Sequence, residues 1–291
     1  MAQTKTYIVT GATSGIGLAA AEHLLRQGAF VIGVGRSPQR CQAAEQRLSA
    51  LYPQGAASFC TADLGLQSQV RALGAQIADR LQAQGISYLD GLVNNAGMVT
   101  FRRTLTAEGF ETQWAVNHLA PFLLTHLLLP LLQAAPQARV VTVSSESHYK
   151  GRMRWDDLQL RRFYNVFEAY QQSKLANVLF SAELNRRLGK GSPVRAFAAD
   201  PGLVRTDIGI KNMPALIGWG WQWWCSRGIT PEESARGVVF LATEPSIQQS
   251  DQVYWKHSQP KAPSPLALDT EAANRLWEIS AQMCGMMENS S

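Results

Sequence analysis

The sequence predicts an α/β protein: a single domain built on a doubly wound parallel sheet with helices on both faces. Three observations lead there. Short, almost uniformly apolar runs at residues 6–9, 29–34, 57–61, 88–93 and 139–143 suit parallel strands covered on both faces, and helical stretches separate them. A glycine-rich turn joins the first run directly to a helix. The length of 291 residues suits one open α/β unit, residues 1–291, rather than two domains.

Composition narrows the class of function. The chain is 46% hydrophobic, enough for a large core, and shows no low-complexity tract, charge block or fixed-period repeat. Cys41, Cys60, Cys225 and Cys284 have no Cys-x-x-Cys spacing, so neither a metal site nor a disulfide framework is expected, and a reducing, cytoplasmic setting fits. The N-terminus enters an apolar strand within a few residues. The richest apolar run, residues 122–132, is broken by His126 and Pro130, so neither a signal peptide nor a transmembrane helix is expected. The net charge of +5 is spread along the chain, and no basic helix alternates with aromatics, which argues against nucleic acid as a partner. An anionic cofactor accounts for part of it.

After the first strand, Gly11-Ala12-Thr13-Ser14-Gly15-Ile16-Gly17 precedes a helix with Ala20, Ala21 and Leu24 on one side. Glycines allow a tight turn with the backbone close to a ligand, and the free amides of a helix start favour an anion such as a pyrophosphate. Gly11, Thr13, Ser14, Gly15, Ile16 and Gly17 are therefore candidate cofactor contacts, against a plain strand-to-helix turn. The second strand ends at Gly35-Arg36. A fold that prefers NAD places a carboxylate about twenty residues after its glycines, whereas an arginine there accommodates a 2′-phosphate. No carboxylate stands at this end. Arg36 points to NADP(H) over NAD(H), with Arg40 a weaker helper one helical turn on; otherwise Arg36 is a solvated loop residue.

The third strand leads into Asp63-Leu64 and a helix expected to run from there to about Leu81. Asp63 lies where open α/β sheets bind ligands, and it either accepts from an adenine amine or starts the helix. The fourth strand runs into Asn94-Asn95-Ala96-Gly97, small and amide-rich where a cofactor would cross the sheet edge, although such amides also tie strand ends together. A helical stretch over 111–133 carries Asn117, a poor helix-interior residue that suggests a kink or a water site. The fifth strand ends in Ser144-Ser145.

On the next helix Tyr170 and Lys174 stand four residues apart, hence on one face, and Leu175, Val178, Leu179 and Ala182 give that helix an apolar stripe to bury. A phenol titrates at about pH 10 when unperturbed, so acid–base work near neutrality needs a nearby positive charge, which Lys174 is placed to supply. Thr230-Pro231-Glu232-Glu233 reads as a helix start, residues 252–255 as a last strand and 270–283 as a C-terminal helix.

In this order, Thr10-Gly11-x-x-x-Gly15-x-Gly17, Asn94-Asn95-Ala96-Gly97, Ser145, Tyr170-x-x-x-Lys174 and Pro201-Gly202 resemble the short-chain dehydrogenase/reductase family, with its Rossmann-type fold, over nearly the full length. The resemblance implies that Tyr170 is the general acid/base and that Lys174 lowers its pKa and holds the nicotinamide ribose. It further implies that Ser145 bonds the reacting oxygen and that Asn117 supports a proton-relay water. Cofactor contacts are implied for the glycine loop, Arg36, Arg40, Asp63, Leu64, Asn95, Ala96, Gly97, Tyr170, Lys174, Pro201, Gly202 and Val204, and for Thr206 at the carboxamide. A homo-oligomer is implied as well.

Asn117-His118-Leu119, Phe122-Leu123-Leu124-Thr125, residues 173–180 and Leu276-Trp277-Glu278-Ile279-Ser280 are most similar to the retinol dehydrogenase group. Asp200 departs from it, standing before Pro201 where that group often carries a histidine, and no N-terminal membrane anchor of the kind several animal members have is expected. Both departures weigh against a retinoid substrate.

Specificity is expected in two segments. An insertion at 146–168 carries Lys150, Arg152, Arg154, Arg161 and Arg162 with Asp156 and Asp157 as partial counter-charges, and a solvated insertion is favoured over an acidic-substrate site. Residues 207–228 hold Trp219, Trp221, Trp223 and Trp224 and are expected to cover a lipophilic substrate. Tryptophan also suits a bilayer surface, so peripheral membrane contact is the other reading. The function expected is an NADP(H)-dependent oxidoreductase interconverting a lipophilic alcohol and its aldehyde or ketone. The alternatives are a non-catalytic NADP-binding sensor, which would need no proton donor, and a light-dependent enzyme resembling protochlorophyllide reductase.

Overall fold

Strands that are apolar at every position must be covered on both faces, and successive side chains of a strand point to opposite sides. The computed structural model, which describes residues 4–53, 55–205 and 228–286, realises this. The parallel strands are β1 (Thr6–Thr10), β2 (Phe30–Gly35), β3 (Ala56–Thr61), β4 (Gly91–Asn94), β5 (Ala138–Val143), β6 (Val194–Asp200) and β7 (Tyr254–Lys256). A short β8 (Gln259–Pro260) closes the edge antiparallel to β7. Among the described residues these form one sheet in the order β3-β2-β1-β4-β5-β6-β7-β8.

Ile8, Ile32, Val140 and Ala196 face one core. It is completed by α3 (Gln67–Ala83), α4 (Thr112–Trp114), α5 (Ala120–Gln133), α6 (Val166–Leu188) and α8 (Thr270–Met283). Val9, Val31, Val141 and Phe197 face the other, which α1 (Gly15–Arg26), α2 (Pro38–Leu51) and α7 (Pro231–Thr243) cover. The chain winds outward from β1 in both directions, so the strand order reverses between β1 and β4. The C-terminal ends of those strands border the crevice where open α/β sheets take ligands.

Three details differ from the sequence expectation, and a fourth, the break at Asn117, follows it. β6 was not expected; its alanines and Arg195 hide a strand that pairing with β5 and β7 enforces. β4 starts three residues late because the Asp90 carboxylate turns back to accept from Thr6 N–H at 2.8 Å and from Lys5 Nζ at 2.6 Å. α3 starts at Gln67 rather than at Asp63. The helix over 111–133 is interrupted by a π-helical turn, Ala115–Leu119, at Asn117.

Thr112–Gln133 is long and apolar enough to cross a membrane, yet 67% of its most apolar window is buried inside the protein. It packs on α3, β4 and β5 as a core helix.

Candidate active site

The first strand-to-helix turn is built so that only glycine fits at Gly17: a Cβ there would lie 2.4 Å from Gly11 O and 2.4 Å from Asn95 Nδ2. That amide is itself fixed, donating to Thr10 O at 2.9 Å, while Thr10 Oγ1 accepts from the Asn95 and Ala96 N–H groups at 3.0 Å each. Asn95 therefore ties the end of β4 to the end of β1. Ser14, at the N-cap of α1, makes no side-chain cap bond, and the first turn holds no acidic residue. α6, α7 and α8 are capped by Asn165, Thr230 and Asp269. The amides of α1 alone among these four are left to an external anion, which fits a pyrophosphate.

At the end of β2, Arg36 is exposed, and Arg40, in the first turn of α2, reaches the glycine turn, its Nη2 donating to Thr13 O at 3.5 Å. Asp63 does not begin a helix. Its Oδ1 accepts from Gly65 N–H at 2.9 Å and makes a turn, with half-buried Leu64 packed on the core.

The end of β5 is the mechanical centre of the site. Val143 O accepts from Lys174 Nζ at 2.9 Å and from Asn177 Nδ2 at 3.2 Å, and Ser144 Oγ donates to Lys174 O at 2.7 Å. α6 is thereby clamped across the strand end. From the π turn, Asn117 Oδ1 accepts from Met98 N–H at 2.8 Å, and its Nδ2 donates to Met98 O at 2.9 Å and to Ser173 Oγ at 3.2 Å. Gly97 lies between: a Cβ on it would sit 3.5 Å from Asn117 Oδ1 and 3.6 Å from Lys174 Nζ. Ser145 caps the 3₁₀ turn Glu146–Lys150, accepting from Ser147 N–H at 3.2 Å, and its hydroxyl acts to lower the pKa of the Tyr170 phenol. Lys174 Nζ lies 5.5 Å from the centre of the Tyr170 ring.

Burial dominates the electrostatics. The Tyr170 ring keeps an opening to solvent but is crowded by protein, and desolvation pushes its phenol up to about 12, with the Ser145 hydroxyl pulling down and the Asp200 charge pushing up. Burial pushes Lys174 down to about 8, opposed by Asp200. The resemblance implied a phenol lowered by Lys174; in this structure burial is the largest influence on the phenol and acts the other way.

Beyond β6, Pro201 O accepts from Ser234 Oγ at 2.9 Å, and Gly202 takes φ +75°, a conformation that favours glycine. Val204 is buried and bridges to Ile229, and Arg205 Nε donates to Gly228 O at 2.8 Å, so the stems at 203–205 and 228–229 are held together. Thr206 and residues 207–227, including Trp219, Trp221, Trp223, Trp224 and Cys225, lie outside the described residues.

The insertion at 146–168 is anchored to α6. Gln172 Nε2 donates to Leu158 O at 2.8 Å, and Gln172 Oε1 accepts from Arg154 N–H at 2.8 Å. Its outer part borders a concavity of about 450 Å³ lined by Met153, Trp155, Asp157, Arg162 and Phe163. Arg161 and Arg162 are exposed, and their amides bind the Asp157 carboxylate at 2.8 and 2.9 Å.

Sequence reasoning missed Asn177, Ser144 and His148 as parts of this site. Asn177 had a signal in its helical spacing from Tyr170 and Lys174. His148 had none: its fully buried ring donates from Nδ1 to Ser145 O at 2.8 Å and accepts at Nε2 from Ser264 N–H at 3.1 Å, contacts made only by folding.

A family model described as short chain dehydrogenase matches residues 5–215. Human retinol dehydrogenase 14 is 36% identical over 303 residues, covering 98% of this chain and 87% of its own length. Mouse polyprenol dehydrogenase is 38% identical over 289 residues, covering 96% and 83%. Among solved structures, a protein of Mycobacterium paratuberculosis superposes with a TM-score of 0.75 at 34% identity, over 97% of this chain and 93% of its own. A metagenomic short-chain oxidoreductase in complex with NADP gives 0.63 at 26% identity, over 89% and 98%. Agreement over so much of the chain, on a sheet of this topology, makes the protein a member of the short-chain dehydrogenase family, an oxidoreductase of alcohol and carbonyl groups that uses a nicotinamide cofactor.

Proposed function

We propose that this chain is an NADP(H)-dependent oxidoreductase that interconverts a lipophilic alcohol and its aldehyde or ketone, with Tyr170 as the acid/base. One observation carries the reading: Lys174 Nζ, one helical turn from Tyr170, lies 5.5 Å from the centre of its ring and is locked onto Val143 O at the end of the strand that leads into Ser145. A reduced nicotinamide, when bound, supplies the hydride. As negative charge develops on the carbonyl oxygen, the Ser145 and Tyr170 hydroxyls donate to it, and Tyr170 gives up its proton. Lys174 stabilises the phenolate left behind, and Asn117 holds the Met98 backbone and Ser173 in place beside it. In the reverse direction the Tyr170 phenolate takes the alcohol proton.

The cofactor preference rests on Arg36 and Arg40 at the end of β2, two cations suited to a 2′-phosphate. The lipophilic substrate is supported by the names of the relatives, since retinol and polyprenol are both long apolar alcohols, and by the tryptophans of 207–228, which we assign as a substrate-covering segment.

The test is to mix the purified protein, in the dark, with NADPH or NADH and a panel of retinal, medium-chain aldehydes and aromatic ketones, following the absorbance of the reduced nicotinamide. Consumption of NADPH with an apolar carbonyl, and little of NADH, is expected. NADPH binding without turnover on any of them, in the dark or under illumination, would overturn it.

A further inference from the structure

The loop that leaves β4 runs along α6 past Tyr170, as three successive contacts show. Gly97 lies beside Lys174, since a Cβ on it would be 3.6 Å from Lys174 Nζ. Met98 is held at its N–H and carbonyl by Asn117, whose Nδ2 also donates to Ser173 Oγ at 3.2 Å. Thr100 meets Tyr164, just ahead of the Asn165 cap of α6: the Tyr164 hydroxyl donates to Thr100 O at 3.0 Å, and the two hydroxyls lie 2.8 Å apart. The loop positions 97, 98 and 100 thus meet 174, 173 and 164 in turn, so the loop and α6 run in opposite directions. Tyr170 lies between Ser173 and Tyr164, and Val99, which joins Met98 to Thr100, is the loop residue that passes it. Residues 98–100 form a wall of the cleft above Tyr170.

The insertion at 146–168 ties this wall down at two places. At the first, the Tyr164 hydroxyl is used in full: it donates to Thr100 O and accepts from Thr100 Oγ1 and, at 2.5 Å, from Nε2 of the fully buried Gln113. Glu111 Oε1 lies 3.4 Å from the same hydroxyl. At the second, Gln159 Oε1 accepts from Glu111 N–H at 2.9 Å and Gln159 O from Arg103 Nε at 3.0 Å. Glu111 is itself fixed, its buried carboxylate capping α4 through Gln113 N–H at 3.0 Å and Trp114 N–H at 2.7 Å. A wall held in this way yields to a bulky group only by breaking these bonds. The hydroxyl protons of Thr100 and Tyr164 are spent within the latch, so this side of the cleft discriminates by shape.

We propose that Tyr164 is a positioning residue for substrate selection: by latching the insertion to residues 98–100 it fixes the width of the cleft beside Tyr170, where the bulk of an apolar group next to the reacting carbon is judged. The inference rests on the oxidoreductase reading above. At a fixed apolar wall, one methylene more or less changes kcat/KM by about 10–200-fold. That discrimination lasts while the wall stays in place, because a surface free to move repacks around the larger group. Tyr164 acts through Thr100 and is not asked to touch the reacting atoms.

The test measures kcat and KM with NADPH for octanal and for its isomer branched at the carbon next to the carbonyl, in the wild type, Tyr164→Phe and Thr100→Val. The two aldehydes contain the same atoms and differ in bulk beside the reacting carbon. The wild type is expected to favour octanal, and equal kcat/KM for the two would overturn the proposal without any variant. In Tyr164→Phe, which keeps the ring and loses the hydroxyl, the preference for octanal narrows about tenfold, through the KM of the branched isomer, with kcat for octanal retained. Thr100→Val keeps the shape of the loop residue and removes one donor. It narrows the preference in the same direction and carries the test if Tyr164→Phe does not fold. A fall in Tm with the preference unmoved would overturn the proposal and leave Tyr164 a structural tie. A second readout needs no turnover: amide hydrogen exchange in the peptide spanning 98–103 is expected to be faster in Tyr164→Phe than in the wild type. Faster exchange, in a protein that turns over neither aldehyde, would keep the latch while defeating the proposed function. Identical exchange would defeat the latch itself.

Discussion

Gly17→Ala puts the architecture of the cofactor turn to a quantitative test. The added methyl would lie 2.4 Å from Gly11 O and from Asn95 Nδ2, about 1 Å inside the 3.4 Å at which ordinary contact begins. Neither neighbour yields cheaply. One is a backbone carbonyl of the turn, and the other is an amide held by Thr10 O at 2.9 Å, part of the link between β1 and β4. Relief requires the turn to move by about 1 Å. Overpacking of this size costs ~1–3 kcal/mol of stability, a drop of a few degrees in Tm. A displacement of ~1 Å in groups that position a ligand costs about a hundredfold. The Kd for NADPH, read from its fluorescence enhancement, is expected to rise about a hundredfold, with Tm measured alongside. Gly191→Ala, where the methyl meets nothing within 4 Å, should change neither. NADPH binding by Gly17→Ala within threefold of wild type would refute the assignment of this turn as the pyrophosphate cradle.

Tyr170→Phe removes the proton donor and keeps the ring, so kcat should fall ~10²–10⁴-fold with NADPH affinity retained; near-normal turnover would remove Tyr170 from the mechanism. Arg36→Asp deletes a charge-assisted contact of ~1.5–3 kcal/mol and introduces repulsion, so the Kd for NADPH should rise at least tenfold while NADH gains. An unchanged ratio of the two affinities would eliminate Arg36 as the 2′-phosphate contact. His118 is fully buried with Nε2 2.8 Å from Ser280 Oγ, and burial pushes its pKa down to about 4. The unfolded chain binds a proton at this histidine below about pH 6.5 and the folded chain only below about 4. Stability is therefore full above pH 6.5 and falls, as the pH drops toward 4, by ~3 kcal/mol. Urea midpoints measured across that window should decline in the wild type and stay flatter in His118→Gln; equal slopes would refute the neutral, buried state.

What the sequence by itself determined was local in kind. Strands apolar at every position announce a parallel sheet covered on both faces; the glycines of 11–17 announce a turn that a side chain would block; and a four-residue spacing sets Tyr170 and Lys174 on one face of a helix that buries its other side. Each needs only neighbours along the chain. The tertiary structure decided what depends on neighbours across it. β6 is a strand because β5 and β7 pair with it, against the weak preference of its alanines. Asp63 became a turn residue through its bond to Gly65, and Asn117 reaches Met98 only because a π turn carries it there. The protonation of the site was beyond the spacing as well. Placing Lys174 beside Tyr170 suggests a lowered phenol, but desolvation and the charge of Asp200 act against it, and both arise only when distant segments close around the pair.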